Sequence, residues 1–199
     1  MRALCAVAIA GAVACANGDQ PGHTSSSAEP PKESAAMSPD SMTAMYAAHR
    51  MAIMTGEADR DFLRMMSDHE TGLLVLARTA EARKDGAPLP DATTLAAKEN
   101  DTLARLNALL VMNYSDAFAS KAMPADHAMA DALSATTGTA YERLFFQNVI
   151  THHRQAQAMI DEYLPKAKNA SIKQLAETMK ADRAREIGAL QAKIAALGT

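Results

Sequence analysis

A segment that occurs twice in the chain constrains its fold more than any other feature. In each copy a phenylalanine stands seven positions before a histidine, which is His69 in the first copy and His152 in the second. A second side chain able to bind a metal ion follows at once, Glu70 in the first copy and His153 in the second. The duplication predicts two similar halves, each of which brings one polar dipeptide to a paired site.

The residues around these segments predict helices and no strands. Alanine, leucine and methionine, which favour helices, dominate the composition. No segment alternates apolar and polar residues convincingly with a period of two. Proline and glycine residues mark the breaks between helices. The predicted helices cover approximately residues 39–55, 59–84, 91–112, 125–133, 140–164 and 171–197.

The two copies, at about residues 59–112 and 141–197, are each predicted to form a helical hairpin. Each hairpin has an apolar face, so the two hairpins are expected to bury those faces against each other. The predicted fold is therefore all-α: a four-helix bundle made of two duplicated helical hairpins, plus an extra N-terminal helix at residues 39–55.

The N-terminus has the pattern of a secretion signal. Arg2 precedes an apolar stretch of small residues that is too short to span a bilayer as a permanent helix. The four residues that end at Cys15 resemble a bacterial lipobox, in which the cysteine is lipidated; ordinary cleavage after small residues is the alternative. We divide the chain into a signal or lipoprotein leader (1–15), a flexible linker rich in serine and proline (16–37) and a folded domain (38–199).

Both cysteines, Cys5 and Cys15, lie in the leader, so a metal site in the folded domain must use imidazole, thioether or carboxylate groups. The chain has 13 methionines. Met42, Met45 and His49 share one face of the predicted N-terminal helix. Thioether and imidazole together form a soft ligand set that suits copper, especially Cu(I). The alternative is that these methionines fill a helical core.

His69 and His152 each share a helix face with apolar residues, so both imidazoles are expected to point inward. A buried imidazole without a partner costs about 1–3 kcal/mol, which a metal ion, a carboxylate or another imidazole would offset. Adjacent residues on a helix diverge by about 100°. His152 and His153 are therefore poorly placed to chelate one ion alone, and Glu186 or Asp182 on the last helix could complete either site or orient an imidazole. The alternative is that the inward histidines are ordinary hydrogen-bonded core residues.

Several function classes find no support. The net charge of −3 and the interspersed charges give no basic stripe for nucleic acid. Carboxylate-bridged di-iron bundles need a glutamate three residues before a histidine, but Met66 and Val149 stand at those positions. The short motifs of zinc proteases, serine hydrolases and phosphate-binding loops are absent from the sequence. We therefore expect that the protein is not an enzyme.

At the histidine segments the chain resembles a bacterial family, the domain of unknown function 305. Its ferritin-like members include CopM-type copper metallochaperones. Residues 56–62 with Met65 and Met66 match the lead segment of the family pattern, and His152 with His153 matches its histidine pair. The resemblance implies a ferritin-like bundle and, for some members, copper handling.

The resemblance extends over roughly residues 42–197 in two copies, and Glu186 matches the glutamate that the family pattern has in its second helix. The first copy departs from the pattern. Glu70 replaces the second histidine, and Thr102 stands where the glutamate is expected. This departure implies that the first-copy site is weaker or has an altered metal preference.

Together these observations predict a ferritin-like cell-envelope protein, secreted to the periplasm and anchored to the membrane by a lipid on Cys15. It would bind copper, as Cu(I) or Cu(II), for resistance, storage or delivery to a partner protein, with no organic cofactor. The expected ligands are His152, His153, His69, Glu70 and Glu186, with His49 and Met45 as a secondary soft site. The alternatives are a structural or interaction lipoprotein with buried core histidines, and a small metal-dependent oxidase.

Overall fold

Proline and glycine residues set the ends of the helices. Pro39, Pro90 and Pro124 stand in the first turns of three helices, where the proline lacks only an N–H group that would have no helical partner. The computed structural model describes residues 39–83, 86 and 89–198. Its helices are α1 (Pro39–Ile53), α2 (Ala58–Glu81), α3 (Pro90–Tyr114), α4 (Pro124–Ser134), α5 (Gly138–Tyr163) and α6 (Ala170–Ala196), with a short 3₁₀ turn at Leu164–Lys166.

Two long hairpins form the bundle. Helix α2 packs along α3, and α5 packs along α6. The helix α1 lies against α2, and the short helix α4 packs mainly on α2 and also contacts α5. The prediction of an all-α, ferritin-like bundle from two helical hairpins plus an N-terminal helix is confirmed. No strand occurs in the described ranges, and none of the helices there is long and apolar enough to cross a membrane.

The two larger apolar clusters of the core form layers at different heights along the bundle. The first contains side chains from all four long helices, among them Phe62, Leu106, Ile160 and Ile172. The second contains residues of α2, α3, α4 and α5, with the side chains of Leu190 and Ile194 of α6 packed against it. Burial of these side chains supplies the main stabilisation, at about 25 cal/mol per Å² of apolar surface.

A layer of polar residues separates the two apolar layers. Its members, which we call the polar layer, are almost completely buried and come from all four long helices: Glu70, Glu99, His152, His153 and Arg183. Buried charges and imidazoles are costly unless they are paired or bind a ligand. The polar layer is therefore the place in the bundle where function is most expected.

The parts of the prediction that concern the N-terminus lie outside the described residues. These are the leader at 1–15 with the lipidation of Cys15, and the linker at 16–37. The folded domain predicted at 38–199 contains all the described residues, which fall in one compact unit, 36–199.

Candidate metal centre

The two adjacent histidines of α5 face different neighbours. His152 faces α2 and α4, where its imidazole stacks on His69 and approaches Asp126. His153 faces α6, where its Nε2 lies 3.0 Å from Glu186 Oε2. Both are 1 % exposed. The divergence expected from helix geometry therefore splits the predicted ligands into two groups, and His152 does not meet Glu186.

The first group is a histidine pair formed by both copies of the duplicated segment. The rings of His69 and His152 lie 3.8 Å apart, with an angle of 31° between their planes. His69 Nε2 lies 3.1 Å from the backbone carbonyl oxygen of His152, to which it can donate a hydrogen bond. That bond leaves Nδ1 of His69 as the nitrogen with a free lone pair.

The imidazole of His152 has no hydrogen-bond partner among the described residues. Neither of its ring nitrogens makes a hydrogen bond, although both are buried. Its Nε2 is 3.5 Å from Asp126 Oδ1, which is close enough for attraction between charges but not for a well-formed hydrogen bond. An unpaired buried imidazole costs about 1–3 kcal/mol, so this position needs a physical explanation.

A cavity of about 370 Å³ lies beside the histidine pair, between α1, α2, α4 and α5. We call it the histidine cavity. Three thioether side chains, two imidazoles and two carboxylates line it: Met65, Met123, Met159, His49, His69, Asp68 and Asp126. The thioethers come from α2, the N-cap of α4 and α5, so three separate parts of the bundle bring sulfur to one space.

The carboxylates of the histidine cavity are held by the backbone. Asp126 accepts a hydrogen bond of 2.7 Å from the Met123 N–H at the start of α4. Asp68 accepts one of 2.7 Å from the Lys121 N–H, and its other oxygen lies 2.7 Å from His49 Nε2. The imidazole of His49 is therefore fixed at the rim of the cavity by a buried carboxylate. Met45 falls on α1, but its side chain lies outside the described part of the structure.

The second group surrounds a buried arginine. We call it the arginine cluster: Arg183 with Glu70, Glu99, Glu186 and His153. The Arg183 guanidinium donates to both oxygens of Glu99, at 2.8 and 2.7 Å, and to Glu70 at 2.8 Å. It also donates to Glu186 at 3.1 Å. Glu70 and Glu186 were both predicted to be metal ligands. In this structure they contact the Arg183 guanidinium and not the pair of His69 and His152.

Burial favours the neutral form of His69 and His153. It lowers the pKa of His69 well below its usual value, and the neighbouring His152 lowers it further. Burial also lowers the pKa of His153, although the hydrogen bond to Glu186 partly offsets the effect. Neutral imidazole is the form that binds metal ions, so metal binding at His69 would not have to displace a proton.

The carboxylates of the arginine cluster differ from each other. Burial and the neighbouring Glu70 carboxylate raise the pKa of Glu99 to about 8, although Arg183 acts in the opposite direction. Burial acts to raise the pKa of Glu186 too, but contacts with His153, Lys98 and Arg183 outweigh it and hold that pKa well below the usual value. The interior of the bundle thus contains more carboxylate than one guanidinium neutralises.

Sequence reasoning missed Arg183, Glu99 and Asp126. The sequence does carry a signal for Arg183 and Glu99, because each stands on the buried face of its helix. Glu99 follows Ala92 and Ala96 on α3, and Arg183 follows Ala176 and Met179 on α6. A charged residue at a stripe position predicts a buried ion pair. Asp126 carries no such signal, since it belongs to a short helix whose docking position the sequence does not reveal.

The histidine cavity is not a finished metal cage. Within residues 39–83, 86 and 89–198, no three His, Cys, Asp or Glu side chains are gathered closely enough to hold a metal ion. Thioether groups are also available as ligands, because three methionines line the cavity. What the described residues offer is two imidazoles from the duplicated segments, with soft sulfur ligands on the adjoining walls.

Comparison with solved structures supports the fold. The crystal structure of a DUF305 fragment from Deinococcus radiodurans is 19 % identical, with a TM-score of 0.60, and the match covers 69 % of this chain and 95 % of that one. CopM in the Cu(I)-bound form is 16 % identical, with a TM-score of 0.58 and coverage of 71 % and 98 %. CopM in the Cu(II)-bound form is 17 % identical, with a TM-score of 0.55 and coverage of 68 % and 95 %.

No curated protein matches the chain significantly. A family model does match, over residues 99–194, which run from α3 through α6. This single stretch includes His152, His153 and Glu186, on which the sequence resemblance partly depended; the lead segment at residues 56–66 lies outside it. Residues 99–194 of the chain are thus similar to the family described as Domain of unknown function (DUF305).

Proposed function

We propose that the protein binds a copper ion at the histidine cavity, with His69 and His152 as the central ligands. The observation that carries the proposal is the imidazole of His152, which is 1 % exposed and has no hydrogen-bond partner on either nitrogen. A metal ion would use a lone pair that the protein otherwise leaves buried and unpaired. The stacked His69 offers a second imidazole, with Nδ1 free, at the same place.

The surrounding donors favour a soft metal. Cu(I) prefers thioether and imidazole to carboxylate and water, and the methionines Met65, Met123 and Met159 line the cavity next to the histidine pair. His49 at the rim would be an additional imidazole for Cu(II). The proposal agrees with the bound metals of CopM, whose fold is similar. It reassigns His153, Glu70 and Glu186 from the expected ligand set to the arginine cluster.

The cellular role that we propose is copper handling in the cell envelope, for resistance, storage or transfer to a partner protein. The leader with its lipobox-like Cys15 supports export and a lipid anchor. The rim of the histidine cavity belongs to α1, which makes few contacts with the bundle and could open to admit or release an ion.

Copper titration of histidine variants tests this proposal. We expect His69→Ala and His152→Ala each to weaken Cu(I) affinity by at least about 100-fold in competition with a chelator, because loss of even an outer-shell partner commonly costs about 10–100-fold. His153→Ala is the matched control, since His153 is equally buried on the same helix but faces Arg183. We expect it to change Cu(I) affinity less than about threefold.

Circular dichroism on the same variants separates binding from folding. If the His69 and His152 variants lose only stability and bind Cu(I) like the wild type, the histidines are core residues and the proposal is wrong. If the three alanine variants weaken binding equally, the histidine cavity is not the site. Oxygen-dependent turnover of a reductant by the copper-loaded protein would favour the oxidase alternative.

A further inference from the structure

The arginine cluster has the composition of a metal site. Each long helix contributes to it one side chain of a type that binds divalent metals: Glu70 from α2, Glu99 from α3, His153 from α5 and Glu186 from α6. This is the way in which four-helix bundles build carboxylate metal centres, with inward ligands on facing helices. Here the cation at the centre is the guanidinium of Arg183, within 3.1 Å of oxygens from all three glutamates.

The cluster contains three carboxyl groups and one guanidinium. Glu70 and Glu99 are both 0 % exposed, and Arg183 is 1 % exposed. One oxygen of Glu70 and the Nδ1 nitrogen of His153 are buried without a hydrogen-bond partner. His153 Nε2 lies 3.0 Å from Glu186 Oε2, with which it forms a hydrogen bond. An unused lone pair on a buried carboxylate and one on a neighbouring imidazole are what a divalent cation would engage.

A crevice of about 150 Å³ leads from the surface to the cluster. Its lining includes His153, Glu186 and Lys98, and Lys98 pairs with Glu186. An ion entering there would meet the two ligands of the second hairpin first. The crevice is separate in its lining from the histidine cavity, which lies on the α1 and α4 side of the bundle.

We infer that the guanidinium of Arg183 takes the place that a divalent cation would occupy among these side chains and so excludes metal ions from the bundle centre. Three carboxylates and one imidazole form an oxygen-rich set, which suits Mn²⁺, Fe²⁺, Co²⁺ or Zn²⁺ and disfavours Cu(I). Arg183 therefore determines metal specificity by closing the bundle centre to such ions. This inference goes beyond the proposed copper binding and does not depend on it.

The test is to remove the guanidinium and offer Co²⁺ as the probe, since its visible absorption reports its ligands. We expect Arg183→Ala to bind one Co²⁺ per chain and to gain about 5 °C or more in Tm when Co²⁺ is added. The wild-type protein should show neither effect. Arg183→Lys, which keeps a positive charge at the centre, should also fail to gain a Co²⁺ site.

Further variants test the inference if Arg183→Ala does not fold in the absence of Co²⁺. Refolding from urea with Co²⁺ should then restore the helical circular dichroism, and no restoration would overturn the inference. Arg183→Met removes the charge but fills the space, so we expect Co²⁺ not to restore its folding. Equal restoration of the Met and Ala variants by Co²⁺ would overturn the inference. Adding Glu99→Gln to Arg183→Ala should abolish Co²⁺ absorption. Absorption that persists would place the ion elsewhere and defeat the inference.

Discussion

Gly72 lets the carboxylate of Asp126 reach the histidine pair. A Cβ atom on residue 72 would stand 2.2 Å from Asp126 Oδ2, far inside van der Waals contact. Asp126 cannot easily retreat, because the Met123 N–H holds the same oxygen at 2.7 Å. A position without a side chain in the middle of α2 thus allows α4 to dock close to His152.

We expect Gly72→Ala to destabilise the protein by about 1–3 kcal/mol, the usual cost of overpacking a buried contact. Alanine normally stabilises a helix interior by about 1 kcal/mol relative to glycine, so the sign of the effect is diagnostic. Urea unfolding measures it. Gly188→Ala in α6 is the matched control, since a Cβ atom there would meet nothing within 4 Å. If both variants are stabilised, Asp126 does not pack against Gly72 as described.

At the scale of single elements, α1 is tied to the bundle partly through polar contacts. Its contacts with the bundle include His49 with Asp68, Arg50 with Glu162, and the Ile53 carbonyl with Arg64. The contact of His49 involves a buried partner, since the Asp68 side chain is 5 % exposed. The pair of Arg50 and Glu162 is exposed, because these side chains are 43 % and 45 % exposed. Asp68 also holds the Lys121 N–H, so it ties two segments to α2.

We expect Asp68→Ala to increase hydrogen exchange of the α1 amides by about tenfold or more. The reason is that a buried carboxylate with two hydrogen-bond partners contributes about 1–3 kcal/mol to stability. Glu162→Gln is the control. It removes an exposed ion pair, which contributes only about 0–1 kcal/mol, so α1 exchange should change little. Equal exchange in the two variants would mean that the rim of the histidine cavity is not held by Asp68.

The helices could be predicted from the sequence because local chemistry determines them. Pro39, Gly56, Pro90 and Gly138 stand at or near helix ends, and the predicted boundaries lie within about three residues of the observed ones. The partition of the site could not be predicted in this way. Whether Glu186 meets His152 or His153 depends on how α6 is rotated against α5, and that rotation is fixed by packing between hairpins.

For the molecule as a whole, the arginine cluster joins all four long helices, so its protonation affects global stability. Burial and Glu70 raise the pKa of Glu99 from its ordinary value of 4.5 to about 8, so the folded state binds this proton more tightly than the unfolded state. The stabilisation is therefore complete below about pH 4.5 and is lost as the pH rises through about 8. His69 and His153, whose pKa values are lowered, contribute in the opposite direction below their usual pKa of 6.5.

We expect the free energy of unfolding of the wild type, relative to Glu99→Gln, to fall between pH 6.5 and 8 by at most about 1.4 kcal/mol per pH unit, the slope of one proton. Subtracting the variant removes the histidine contributions that both proteins share. Asp101→Asn, on the exposed side of α3, makes the same acid-to-amide substitution and should give no such slope. A pH-independent difference for Glu99→Gln would mean that Arg183 fully compensates the buried carboxylates.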